Sequence, residues 1–417
     1  MSLIIKLAWR NIWRNRKRSL LTIAAITFAL LLTNFMRGQQ IGTYAKNITL
    51  AVNVFSGYLQ LQHKKFQDNP SLRKSIIYTD DLKQDLNSIS EVKSFTPRIY
   101  SFGLLGYEDN SVGAALFGLD PDSEKTVTNL NTKVIEGEFL RDEAIWDIVV
   151  GHKMLKNLGA QIGDTIVILS NGFDGSMGNE KFRIGGISRM GTTEFDNASV
   201  FMHFKAAQHL LSMGRKVSVV AFSLNKPDQI DIAKQRIDSL VNSKGYADQN
   251  LSVLDWGEVM PSFKQSIDFD NISGLIFMGL LVLVVAFGIV NTILMSVTER
   301  FKEFGVMLAI GTHHSKLVYI VFWETVMLTV YGLIFGTILG FIANYLVVLN
   351  PIPLSVFMEG GDEIVADFGF EPYMYGSIDT MIFVNNIIII SIASMLAFIY
   401  PAIKILKLEA LKGLRYS

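Results

Sequence analysis

Apolar positions gather into four long runs along the 417 residues, and a polar, mixed stretch separates the first run from the second. The runs are Ser19–Met36, Ile272–Val297, Leu317–Leu349 and Met381–Tyr400. Each approaches or exceeds the ~20 residues a helix needs to cross a bilayer. Between them, Gln39–Asp270 carries most of the charge, the prolines and short alternating patterns. The pattern predicts an N-terminal amphipathic helix (1–18), a first span (19–37), a water-soluble module (38–270) and a second span (271–298). A connecting helix (299–316), a third span (317–349), a loop (350–380), a fourth span (381–401) and a tail (402–417) complete the chain. The fold class is therefore membrane α-helical, with four transmembrane helices and a large extracytoplasmic domain inserted between helices 1 and 2.

Within the module, period-two alternation predicts strands at Tyr58–Gln62, Ile99–Leu105, Gly113–Gly118, Ile148–Val150, Thr165–Leu169, Lys181–Ile187, Ser199–His203 and Val217–Leu224. Helical spacing predicts Asp81–Ile89, His152–Leu158, Lys205–Ser212 and Ile230–Val241. The two signals alternate, which points to mixed α+β, with room for two lobes. Asn171–Asn179 is glycine-rich and reads as a long loop between strands, with Phe173 and Met177 among flexible neighbours as a candidate partner loop.

Composition agrees with a membrane protein: half the residues are apolar and 18% are charged. There is no cysteine, so disulfides and thiolate metal sites are excluded. Net charge is zero, which gives a nucleic-acid partner no electrostatic support. Lys and Arg are unevenly placed. Residues 1–18 hold Lys6, Arg10, Arg14, Arg16, Lys17 and Arg18, and the tail holds Lys404, Lys407, Lys412 and Arg415. The 350–380 loop holds only acids, among them Glu359, Asp362 and Glu371. Positive flanks stay in the cytoplasm, so both termini and the connecting helix are expected inside and the module outside. Trp9 and Trp13 beside the N-terminal cations suit a membrane interface. Ser19–Met36 is long for a signal-peptide core and no small-x-small site follows it, which favours a span.

The connecting helix is the most distinctive stretch. Glu299, Arg300, Lys302 and Glu303 crowd its first turn, and Arg300 and Glu303 stand three apart, within pairing reach. Phe301, Phe304 and Leu308 share a face, Gly305 interrupts it, and Gly311 is placed to stop the helix. The pattern allows two readings, a joint packed into its own bundle or a docking surface for a partner. Gly332, Gly336 and Gly340 recur every fourth residue and form a close-packing face, toward either the chain's own helices or a second copy. Asn291 and Asn385–Asn386 are candidates for interhelical hydrogen bonds, and Glu324 is a carboxylate inside the third span, about two turns from water. His313 and His314 are adjacent and point about 100° apart on a helix, which disfavours a shared metal ion. The chain has no Gly-x-x-x-x-Gly-Lys-[Ser/Thr], His-Glu-x-x-His or Gly-x-Ser-x-Gly motif, so no catalytic residue, metal site or cofactor is expected in it.

Four motifs carry a resemblance. Ala8-Trp9-Arg10-Asn11-Ile12-Trp13-Arg14 opens the chain. Thr298-Glu299-Arg300 follows later, with Glu303-Phe304-Gly305-Val306 and Ala309-Ile310-Gly311. Tyr400-Pro401-Ala402 stands with Leu408-Glu409-Ala410-Leu411, and Gln161-Ile162-Gly163-Asp164 with Ile184-Gly185-Gly186-Ile187. Together they resemble the permeases of the MacB, FtsX and lipoprotein-releasing class of ABC transporters, across essentially the whole chain. The resemblance implies a non-catalytic subunit of the bacterial inner membrane. A separate ATPase dimer would bind ATP and Mg²⁺ and push a coupling helix made of Glu299, Arg300, Glu303, Phe304, Gly305 and Gly311. The spans, in contact with membrane lipid and with a second permease, would then move the outer module. It also implies a lipoprotein cargo and a periplasmic carrier held by a hook loop, where Asn171–Asn179 would fall. That segment lacks the proline associated with the hook. A MacB-like exporter with a periplasmic adaptor and an FtsX-like scaffold controlling a cell-wall hydrolase are the alternatives.

Overall fold

The structure is a computed structural model that describes residues 3–191, 193–243, 245–357, 359 and 371–408. The chain divides into two compact units. A helical unit comprises residues up to Ala45, Ile267–Pro353 and the chain from Tyr373 onward. An α/β unit comprises Lys46–Ser266 and Leu354–Pro372.

In chain order the helices are α1 (Leu3–Arg14), α2 (Arg16–Ala51), α3 (Asp80–Asn87), α4 (Pro121–Val127), α5 (His152–Leu158), α6 (Thr193–Ala198) and α7 (Phe204–Leu210). They continue with α8 (Ile230–Ser243), α9 (Trp256–Val259), α10 (Pro261–Glu299), α11 (Phe301–Ala309), α12 (His314–Leu349) and α13 (Thr380–Leu406). The strands are β1 (Leu59–His63), β2 (Ile76–Ile77), β3 (Val92–Tyr107), β4 (Asn110–Leu119), β5 (Val134–Gly137), β6 (Asp147–Gly151) and β7 (Thr165–Asn171). After them come β8 (Met177–Ser188), β9 (Ser199–His203), β10 (Lys216–Val217), β11 (Val219–Leu224), β12 (Leu251–Asp255), β13 (Ile352–Pro353) and β14 (Tyr373–Met374).

Four helices are long and apolar enough to cross a membrane: α2, α10, α12 and α13. Three of them outrun by more than a turn the apolar runs that announced them: α13, expected to end at Pro401, runs through that proline to Leu406. Helix α2 continues through Arg37–Ala51 and closes in a π-helical turn at Val52–Ser56, while α10 begins at Pro261 rather than near Asn271. The polar residues there do not stop the helices, because they bond laterally. Arg37 donates to Asn271 Oδ1 at 2.6 Å, Gln40 donates to the Asp270 carbonyl at 2.8 Å, and Tyr44 bonds Asp270. Of the module expected at 38–270, the α/β unit therefore takes Lys46–Ser266, and both ends of the expected range belong to the helical unit.

The α/β unit is built on a ten-stranded sheet ordered β12-β1-β11-β3-β4-β9-β6-β8-β5, with β7 bridging β3 and β8. Pairs β4/β9 and β6/β8 are parallel, and the rest are antiparallel. The mixed sheet with helices packed on it matches the expected alternation. One expected strand, Val217–Leu224, is broken at Ser218. The Ser218 amide donates to the Arg98 carbonyl and its hydroxyl accepts from the Tyr100 amide, so β10 pairs β2 while β11 pairs β1 and β3. One apolar core lies under α5 and α7, and a second gathers β1, β11 and β12 against α3 and α8.

Candidate functional site at the connecting helix

The helical unit buries the connecting helix α11 by one face. Phe301 and Phe304 sit in the bundle core with Ile293, Val297, Leu317, Val321 and Ile405, and Gly305 is buried beside them. The apolar spacing is thus filled by the chain's own spans. What faces out is Lys302, Glu303, Val306, Ala309 and Ile310, the last 77% exposed. Of the residues singled out in sequence, Phe304 and Gly305 lie beneath this surface and Glu303 on its edge. Gly311 ends the helix with φ near +92°. The Gly311 amide donates to the Leu308 carbonyl and the Thr312 amide to the Met307 carbonyl, the paired bonds of a Schellman stop.

Charges at the start of α11 form a network. Arg300 is 6% exposed. Its Nη1 donates to Glu324 of α12 at 3.1 Å and its Nε to Glu303 at 3.3 Å, with its guanidinium 5.0 Å above the Phe304 ring. Arg14 at the end of α1 donates to both oxygens of Glu303, at 2.8 and 3.0 Å, and Arg18 of α2 pairs with Glu299. Burial raises the Glu303 pKa, but the bonds from Arg14 and Arg300 outweigh it and hold the carboxyl below the usual range. The expected Arg300–Glu303 pair is present. Partners from other helices join it. Glu324, 12% exposed, pairs with the buried Arg300, since an apolar bundle leaves a buried cation no cheaper partner. Arg14 and Arg18 of the basic N-terminal stretch pair with Glu303 and Glu299. The signal that could have paired them was a carboxylate inside a span with an arginine one helix away.

The glycine face is occupied within the chain. A Cβ on Gly332 would meet Ile26 at 2.6 Å, one on Gly336 would meet Leu30 at 2.8 Å, and one on Gly340 would meet Asn34 at 3.0 Å. Helices α2 and α12 therefore touch backbone to backbone. Farther along the same seam Asn344 donates to the Asn34 carbonyl and Asn386 of α13 to Asn34 Oδ1, both at 2.9 Å. Asn386 was legible as an interhelical donor, while Asn34 and Asn344 were not. His313 and His314 take different partners, because His313 is the extended N-cap rather than a helical residue: it caps α12 by accepting from the Ser315 amide, His314 donates to the Leu408 carbonyl, and the two rings stand edge-on at 6.4 Å. No cluster of three metal-ligating side chains occurs among the described residues.

Asn171–Asn179 is not a long loop. Strands β7 and β8 run into it and pair Asn171 with Met177, leaving a turn of Gly172–Ser176. Asp174 stiffens the turn by accepting from the Ser176 amide at 3.0 Å. Phe173 packs against the sheet core with Lys216 over its ring at 4.2 Å, so of the two candidate side chains Met177, 74% exposed, is the one open to a partner. The C-terminal motif lies outside the described residues from Glu409 onward, as do the loop acids Asp362, Glu363 and Asp367.

The geometry describes a helical membrane unit with a cross-linked connecting helix and an appended α/β unit, and no catalytic cluster stands out among the described residues. Residues 20–240 match the MacB-like periplasmic core domain, over half of the chain, and residues 275–410 match the FtsX-like permease C-terminal region. The chain belongs to the ABC transporter permeases of this MacB/FtsX class. Among its relatives is an uncharacterised ABC transporter permease of Methanocaldococcus jannaschii, 23% identical over 81% of this chain and 82% of that one. The lipoprotein-releasing system transmembrane protein LolC of Neisseria meningitidis is 21% identical over 94% of this chain and 91% of its own length. The solved periplasmic region of MacB from Actinobacillus actinomycetemcomitans covers 52% of this chain and 95% of that one, at 14% identity and a TM-score of 0.36.

Proposed function

We propose that this chain is the motion-transmitting permease subunit of an ABC transporter and contributes no chemistry of its own. A separate ATPase dimer holds ATP and Mg²⁺ and docks on the outward face of α11, through Lys302, Val306 and Ile310. The termini and α11 lie in the cytoplasm and the α/β unit lies outside, an arrangement supported by the Lys/Arg asymmetry of the flanks. Two permeases, identical or paralogous, share the ATPase pair. The cargo is a lipid-anchored protein lifted from the inner membrane, a reading supported by the LolC likeness along nearly the whole chain. A periplasmic carrier, if used, meets Met177 rather than an extended hook.

The observation that carries the proposal is the network Arg14–Glu303–Arg300–Glu324, which joins α11 to α1 and α12, with Arg18–Glu299 tying α2 to the end of α10 just before it. A push on α11 then moves the spans together, while its apolar outer edge stays free for a partner. The test replaces Val306 and Ile310 by Glu and purifies the chain in mild detergent. Wild type retains a nucleotide-binding subunit, and the variant loses it with the permease still folded. Retention of an active ATPase by the variant at the wild-type level would defeat the docking face. Release of a lipid-anchored protein into the soluble fraction on ATP addition, absent from the variant, tests the cargo.

A further inference from the structure

The far end of α2 finishes inside the α/β unit, at a joint that the function above does not yet use. A helix terminus leaves carbonyls without partners and a partial negative charge. Here the π-helical turn Val52–Ser56 offers them to the sheet. The Asn129 amide donates to the Asn53 carbonyl at 2.6 Å, Arg98 Nη1 to the Phe55 carbonyl at 2.5 Å, and Gln60 Nε2 to the Ser56 carbonyl at 2.7 Å. Gly57, with φ +71°, closes the turn by donating to Val52.

Arg98 is the centre of this joint. It stands on β3 with no solvent exposure and is gripped by Glu124 of α4 through two bonds, at 2.7 and 3.0 Å. Glu124 is itself held by the Thr128 hydroxyl. The same guanidinium donates to the Tyr100 hydroxyl at 3.0 Å and lies 5.0 Å over the Phe55 ring. Phe55 in turn packs edge-on against Phe117 and Phe195. A buried ion pair is often no more stabilising than apolar residues of the same volume. Glu124 satisfies the charge of Arg98, and the remaining arm of the guanidinium reaches the incoming helix. The return connection is built differently. After a break at Met260, which the Lys264 amide bridges, α10 starts with Pro261, Ser262, Lys264, Gln265 and Ser266 exposed; Phe263 packs against Trp256 and the Lys264 stem lies over Gly257, with no buried ion pair among these contacts. Each leg has a glycine close by, Gly57 after the π-helical turn and Gly257 in α9, so the difference lies in what grips each helix end.

We propose that Arg98, positioned by Glu124, is the anchor through which α2 drives the α/β unit, with α10 as the compliant return leg. The proposal rests on the transmission role above, and the experiment separates the two. The chain has no cysteine, so Lys226→Cys gives one label site per copy on an exposed residue. Distances between spin labels on two copies are measured in the permease–ATPase complex, without nucleotide and with trapped ATP. The wild type is expected to change distance on ATP trapping, and Arg98→Met/Glu124→Leu is expected to lose that change while the ATPase stays bound and active. Amide exchange at Gly57 and Asn129 is expected to quicken by at least ~10-fold in the variant, with β3 and β11 still protected.

A variant that moves like the wild type overturns the anchor, as does unchanged exchange at Gly57 and Asn129. A wild type that does not respond to ATP overturns the transmission role itself, and the anchor with it. Should the paired substitution expose β3 to exchange, three glycines are inserted between Ala51 and Val52, and separately between Met260 and Pro261. Loss of movement from the first insertion alone supports the proposal, and equal effects of both overturn it.

Discussion

Replacing Glu324 by Gln tests whether the network at α11 is a mechanical fixture or a surface ornament. Arg300 has two carboxylates, Glu324 at 3.1 Å and Glu303 at 3.3 Å, and their side chains are 12% and 46% exposed. Breaking a buried pair costs about 3–5 kcal/mol because a charge is left uncompensated. In Glu324→Gln the charge keeps Glu303 and the amide oxygen still accepts, so the loss is about 2 kcal/mol. Glu303→Gln alone removes a half-exposed partner and costs under about 1 kcal/mol. With both neutralised Arg300 keeps amide acceptors but no counter-charge, and the loss rises toward about 3–5 kcal/mol, more than the sum of the parts. The assay is a double-mutant cycle on equilibrium unfolding in mixed micelles. Tryptic cleavage at Lys302, which is exposed on α11, reports local loosening. A Glu324→Gln protein within about 0.5 kcal/mol of wild type, or strict additivity in the cycle, would refute the shared-charge reasoning.

Three further outcomes are expected. Gly336→Val places atoms against Leu30 Cβ and against the Thr27 carbonyl, which would lie 2.9 Å from the new Cβ and cannot rotate away. The α2–α12 seam must open, at about 1–3 kcal/mol, seen as a lowered unfolding midpoint in detergent. Gly311→Val forces a branched residue into the left-handed region and costs about 1–2 kcal/mol, with faster exchange at the Thr312 amide as its local sign. The Glu303 carboxyl is held below the usual range, so its bond to Arg14 contributes above the ordinary Glu value of ~4.3 and fades only as pH falls through the lower folded value. The stability gap between wild type and Glu303→Gln should therefore stay constant from about pH 8 to 5 and shrink below about pH 4. A gap that closes between pH 7 and 5 would contradict the assigned partners.

Much of the architecture was readable because it is local. Four apolar runs became four long helices, since a bilayer-length run has few other solutions. Strand β9 and helix α5 fall on the expected residues, where a period of two or of 3.6 left one reading. Gly311 was legible as a stop because only its own backbone decides the matter. Other features were invisible for a common reason. The extensions of α2 and α10 carry polar residues that look like the edge of a soluble module until Arg37 finds Asn271 and Gln40 finds Asp270, more than two hundred residues away. The Asn171–Asn179 turn looked long because pairing of Asn171 with Met177 depends on the whole β7–β8 register.

Periodicity also drew α11 and its aromatic face correctly, but which partner that face meets is a question of long-range packing. Spacing set Arg300 three residues from Glu303, and only the approach of α12 and α1 could add Glu324 and Arg14. A chain's own pattern specifies which surface must be covered, because burial and helix geometry act over a few residues. The identity of the covering group is settled when distant segments meet, because a charge or a bare glycine backbone takes whatever the fold brings within about 3–4 Å.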